Sequence, residues 1–168
     1  METESFFAAF YTSEIGFANV AARLVVAAIL GGILGFDREV LSRPAGIRTH
    51  MLVSLAASTF TVITFELIAK GQAEGAPNAD PIRVIEAVTA GVAFLAAGAI
   101  IQGRGKIHGV TTGAGLWLGG AIGTACGIGA FSIALLATVL GFVVLTLVRF
   151  ATDAIPKKAP PPKPKSDD

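Results

Sequence analysis

Cysteine is almost missing from the chain. Cys126 is the only one, which excludes an intrachain disulfide and a cysteine-built zinc site. Charge is scarce as well: Asp, Glu, Lys and Arg make up 15% of the 168 residues, against about 25% in an ordinary soluble domain. The two histidines, His50 and His108, have no nucleophile elbow, zinc-type His/Glu pair or phosphate loop to work with. Without a nucleophile–base set an enzyme is not expected, and nothing commits the chain to a cofactor or a metal ligand set. A basic, aromatic-studded surface is also lacking, so nucleic acid is not an expected partner. Glu2, Glu4 and Glu14 stand where a cleavable signal would carry basic residues.

What the chain does have is apolar length. It is 53% hydrophobic with 20 glycines, and its mean hydropathy is +0.70. A membrane span needs about 20 mostly apolar residues. Five stretches qualify: 17–36, 51–69, 85–101, 110–126 and 131–150. Lys and Arg fall mainly in alternate gaps between them. Arg38, Arg43 and Arg48 lie between the first two stretches, and Arg104 and Lys106 between the third and fourth. Arg149, Lys157, Lys158, Lys163 and Lys165 lie at or beyond the end of the fifth. The other gaps hold only Lys70 and Arg83, balanced by Glu74 and Asp80. Loops rich in Lys and Arg stay in the cytoplasm. The expected fold is therefore all-α: a polytopic bundle of five transmembrane helices in a lipid bilayer, N-terminus out and C-terminus in. Residues 1–16 read as an extracytoplasmic, interfacial segment and 17–150 as the membrane domain. Residues 151–168 read as a disordered, Pro/Lys-rich cytoplasmic tail with no soluble domain after it.

Within the spans two patterns stand out. Gly115, Gly119, Gly123 and Gly127 recur every four residues, and Ala27, Gly31 and Gly35 repeat the device in the first stretch. Small residues let helix backbones approach where lipid supplies no hydrophobic drive between helices; Gly-interrupted segments can also line a substrate cavity. The second pattern is ionisable. Arg23, Glu66 and Glu86 each cost about 2.5–3.5 kcal/mol if left alone at mid-depth. The expected topology puts all three in the outer half on interior-type faces, as a partly buried cluster with Arg23 shared between the carboxylates. It reads either as an ion pair fixing helix register or as a carboxylate site for a divalent cation or proton.

The two cytoplasmic loops form a third constellation. Asp37, Arg38 and Glu39 are expected to carry the first helix into water, with Pro44 stopping it and Gly46 allowing the turn. Thr49 is placed to cap the second helix, beside Arg48, and Thr111 and Thr112 to cap the fourth. Asp37, Arg38 and Arg48 with the Thr111–Thr112 cap could form an interhelix polar network or a docking rim; simple solvation of basic loops is the alternative.

The run RLVVAAILGGILGFDREVLSRPAGIRTHMLVSLAAS, the run DPIRVIEAVTAGVAFLAAGAII and the run HGVTTGAGLWLGGAIGTACGIG follow one another along residues 20 to 150. Together they resemble the MgtC/SapB family of bacterial inner-membrane proteins. The matching features are an arginine before a glycine-rich helix, an acidic-Arg-Glu step, an Arg-Thr pair, an Asp-Pro-x-Arg entry and a Thr-Thr stretch leading to Leu-Trp. Ala93 and Ala96 depart from the family's usual glycines, and His108 from its usual arginine. The resemblance covers the membrane half only, since longer members add a soluble C-terminal domain.

That resemblance implies a multi-pass protein of the bacterial inner (plasma) membrane. The family is associated with survival under magnesium limitation or acid stress and with virulence. Its better-known members are regarded as regulators, including of the proton-translocating ATP synthase. Such a regulator, acting through another membrane complex, is the expected function, and the motif residues carried over by position are Arg23, Asp37, Arg38, Arg48, Thr49, Asp80, Arg83, Thr111 and Thr112. The alternative is a small ion or proton transporter or channel subunit, whose path homo-oligomers could line.

Overall fold

The computed structural model describes residues 13–75, 80–103 and 106–153. The expected interfacial run at 6–11, Arg104 and the Pro/Lys-rich tail from Ala154 lie outside the described residues. Five helices follow one another: α1 Phe17–Val40, α2 Ile47–Ala73, α3 Ile82–Gly98, α4 Val110–Ile128 and α5 Phe131–Asp153. They match the five apolar stretches of the sequence, each somewhat extended or shifted by a few residues. A feature the sequence did not announce sits between α3 and α4. Strands β1 (Ile101–Gly103) and β2 (Lys106–His108) form a short antiparallel hairpin, with Ile101 opposite His108.

The helix connections follow from local backbone rules. Helix α1 closes at Leu41, whose N–H reaches Asp37 O at 3.3 Å. Ser42 and Ala45 then take left-handed φ values of 50° and 58° on either side of Pro44. Such angles cost a residue with a Cβ free energy, and here they fold α2 back onto α1. Glu39 steadies the turn by accepting the Ile47 N–H at 3.0 Å. The α4–α5 turn is tighter still. Gly129 is left-handed at φ 89°, its N–H bonds Cys126 O at 2.9 Å, and Ala130 N–H bonds Ala125 O at 2.8 Å. Those paired bonds make a Schellman cap, which glycine adopts without steric cost.

Helix α4 is the hub and touches all four others. Its glycine face lies on α2: a Cβ at Gly127 would come within 2.5 Å of Thr61 Cβ, and one at Gly123 would collide with the Ser54 carbonyl. Gly120 receives Val92 of α3. On α1, a Cβ at Gly31 would lie 2.6 Å from His50 O, and one at Gly35 2.8 Å from Gly46 O. Backbone therefore meets backbone along both seams, the contact that small residues permit. Two apolar clusters complete the interior. One joins Ala27, Leu30, Leu34, Ile122, Cys126 and Ala134; the other joins Val53, Ala57, Val84, Val88, Val92 and Leu116.

Outside this core the surface is oily. Leu52, Phe60, Leu67, Phe94, Leu136, Val144 and Leu147 are all exposed, Phe94 by 80%. Helices α1 and α2, with mean hydropathy 2.0 and 1.8 over their best windows, are each long and apolar enough to cross a membrane. A belt of this size is the surface lipid requires and water penalises.

Candidate functional site

The polar residues of the bundle sort into two ends and a seam between them. At one end, Arg38 lies in the last turn of α1, on the same face as Leu30, Gly31 and Leu34. That face is turned into the protein, so Arg38 as a residue is only 6% exposed. Its Nη2 donates to the Thr112 hydroxyl in the first turn of α4, while its Nε has no hydrogen-bond partner. The expectation that Arg38 runs out into water is thus overturned. The face it shares with the small residues is drawn against α4, and the side chain follows. Thr111 and Thr112 do not cap α4 either. Gly109 holds the cap position at φ 88° with no side-chain bond, which leaves Thr112 free to accept from Arg38.

Beside this bond a cavity of about 720 Å³ opens, lined on its polar side by Asp37, Arg38, Arg43, His108, Thr111 and Thr112. Leu41, Val144 and Leu145 supply its apolar wall. Arg43 and Thr111 are exposed, Asp37 partly so. Arg48 and Thr49 sit on the first turn of α2, both exposed. The cap of α2 is Gly46 with no side-chain bond, so the expected Thr49 cap is not formed.

At the other end the three charges expected inside the membrane do not meet. Glu66 accepts bonds from Ser13 Oγ at 2.5 Å, Glu14 N–H at 3.0 Å and Ile15 N–H at 3.0 Å. Arg23 Nη1 donates to Gly127 O at 2.7 Å. Each charge is taken by a helix end. A carboxylate suits the free N–H groups before α1, and a guanidinium suits the free carbonyls closing α4. Glu86 is exposed. Helix α3 packs through Val84, Val88 and Val92, so Glu86, Ala90, Ala93 and Ala97, read as an interior face, point outward. The shared Arg23–Glu66–Glu86 cluster is therefore corrected to two separate helix-end bonds and one surface carboxylate. Asp80 and Arg83 are also exposed; Asp80 Oδ1 accepts the Ile82 N–H at 2.9 Å and starts α3. The motif residues therefore divide, with Asp37, Arg38, Arg48, Thr49, Thr111 and Thr112 at one end and Arg23, Asp80 and Arg83 at the other.

The seam between the ends was missed. His50, Ser54, Ser58 and Thr61 follow one another on a single face of α2, all at 1% exposure or less. His50 Nδ1 bonds Gly46 O at 2.9 Å, and Thr61 Oγ1 donates to Ala57 O at 2.8 Å. His50 Nε2, Ser54 Oγ and Ser58 Oγ have no hydrogen-bond partner. The imidazole lies under the glycine face of α4, where a Cβ at Gly115 would come 3.1 Å from Nε2. Polar residues at helical spacing, opposite glycines at the same spacing, were the available signal. Among the described residues no group of three or more His, Cys, Asp or Glu could hold a metal ion.

Residues 24–154 match the model of the MgtC family. The chain belongs to that family. This MgtC-family chain is 39% identical over 132 residues to Protein MgtC of Brucella abortus, covering 79% of its own length and 52% of the relative's. It is 35% identical over 140 residues to Protein SrpB of Synechococcus elongatus, covering 79% of its own length and 75% of that protein. It is 32% identical over 128 residues to the Putative magnesium transporter YhiD of Escherichia coli, covering 76% and 60% of the two chains. It thus spans about half the length of the Brucella relative. No solved structure matches. Family membership and the exposed apolar belt agree on a membrane protein.

Proposed function

We propose that this MgtC-family protein crosses the inner membrane five times, N-terminus outside and the Arg38 end in the cytoplasm, and acts there as a non-enzymatic regulator. It works through another membrane complex, of which the proton-translocating ATP synthase is one example, in adaptation to magnesium limitation or acid stress. The observation that carries this reading is the closed axis of the bundle. Gly31 and Gly123 bring helix backbones into direct contact, and Gly127 packs on Ser58 and Thr61. Helix α4 thus fills the space a permeation path would use. Meanwhile Arg43, Arg48 and Thr49 stand exposed at the Arg38 end, where a partner could reach them.

A transporter is the second reading, and the seam of unpartnered His50, Ser54 and Ser58 atoms favours it. Intramembrane polar chains are where ion and proton relays are found. Purified protein in proteoliposomes carrying a magnesium or pH dye separates the two. The regulator leaves the dye trace flat, and in native membranes a crosslinker at position 49 captures a second membrane protein, a product lost when Arg48→Glu is added. Dye flux abolished by His50→Phe would replace the regulator with the transporter.

A further inference from the structure

The cavity at the Arg38 end has the composition of an anion site set against an apolar wall. We propose that it binds a singly charged phosphate ester, with the phosphate lying between Arg43 and the first turn of α4 and any organic part against Leu41 and Val144. The proposal stands apart from the regulatory reading above, because it needs neither an orientation nor a partner protein.

Four observations on different elements converge. Helix α4 is 19 residues long, and its start carries no side-chain cap, so N–H groups of its first turn are free to meet an anion. Arg38, from α1, is buried against that turn, yet its Nε has no partner. An arginine remains protonated at any physiological pH, and a charge so placed gains from a counter-anion in the adjoining cavity. Arg43 lines the same space from the α1–α2 turn and is exposed. His108, at the end of β2, adds a further polar side chain to the lining.

Asp37 lines the cavity too, and its carboxylate sets the preference. Two guanidinium groups facing one carboxylate leave a modest positive excess, which suits one negative charge better than two. The volume argues against a bare inorganic ion as the full occupant. About 720 Å³ falls in the range of roughly 300–1,000 Å³ that small-molecule sites occupy, so space remains for an alcohol or glycerol moiety. Val144 and Leu145 of α5 bring apolar surface to the same opening, with Val144 exposed on the oily belt. Basic pockets between membrane helices are where anionic headgroups bind. The phosphate ester could therefore belong to a phospholipid such as phosphatidylglycerol or to a soluble molecule.

The test uses the whole chain, purified in detergent. Native mass spectrometry follows retention of added phosphatidylglycerol against phosphatidylcholine, and calorimetry follows binding of glycerophosphoglycerol, a soluble diester with a single negative charge. The measured variants are Arg43→Ala, which removes an exposed side chain and should fold normally, and Arg83→Ala as a control at the other end. Phosphatidylglycerol is expected to be retained in preference to phosphatidylcholine, with Arg43→Ala weakening retention about fivefold and Arg83→Ala leaving it unchanged. Retention of the lipid assigns the phosphate to a headgroup. Binding of glycerophosphoglycerol alone, with the same response to Arg43→Ala, assigns it to a soluble ester. Equal retention of both lipids with no heat from glycerophosphoglycerol overturns the proposal. Binding that Arg43→Ala leaves intact, or that Arg83→Ala weakens equally, overturns it as well.

Discussion

Arg38 and Thr112 show how one buried bond changes what a substitution does. Thr112→Val keeps the shape of the first turn of α4 but takes away the hydroxyl that accepts from the guanidinium. Hydrogen bonds to charged groups are worth about 1.5–3 kcal/mol, and here the stranded partner is the charge of a residue at 6% exposure. Arg38→Met together with Thr112→Val removes both groups and leaves nothing stranded. The double variant should therefore melt closer to the parent in detergent than Thr112→Val alone. If the two losses simply add, the bond has no energetic role. The sequence offered an interhelix network of Asp37, Arg38 and Arg48 with Thr111 and Thr112, of which the Arg38–Thr112 bond is one link, but it ran Arg38 into water and gave Thr112 a capping role. Spacing reveals which face a residue occupies, but a side chain's partner is chosen by what packs opposite that face. The same reason explains why Arg23, Glu66 and Glu86 were grouped from their depth, whereas each goes to the nearest unsatisfied group or to the surface.

Helix α4 was legible because its requirement is written in one residue type. Of the four glycines at four-residue intervals, Gly123 and Gly127 lie against the Ser54 and Ser58 carbonyls of α2 and Gly115 against the His50 ring, while Gly119 has ordinary clearance. Gly91 on α3 looks alike in sequence, yet a Cβ there would meet nothing within 4 Å. Gly123→Ala should lower the melting temperature, at the cost of about 1–3 kcal/mol typical of overpacking. Gly91→Ala should be neutral or slightly stabilising, since alanine favours helix. Thermal melts of the two variants in one detergent check this; equal losses would mean the backbone contact is not what α4 depends on. The β1–β2 hairpin was hidden for a different reason. Its strands are three residues each, too short for an alternating pattern to register.

For the molecule as a whole, the five helices could be read from the chain because each is written as a long apolar run bounded by polar or turn-forming residues. Orientation rests on the distribution of Lys and Arg and has its own test. Single cysteines replacing Ser42 and Glu74, both exposed, are treated in intact cells with a maleimide that cannot cross membranes. The thiol at 74 should react at once, and the thiol at 42 only after the membrane is permeabilised. Cys126 is fully buried and will not contribute background. Early labelling at 42 would invert the topology and move the phosphate cavity to the other leaflet. The Schellman turn at Gly129 bears on how the chain enters the membrane in the first place. Only Gly129 and Ala130 separate α4 from α5, so no soluble loop lies between them to be carried across separately. In the proposed five-span arrangement the glycine helix therefore enters the bilayer as half of a hairpin, partnered by its neighbour α5 from the outset.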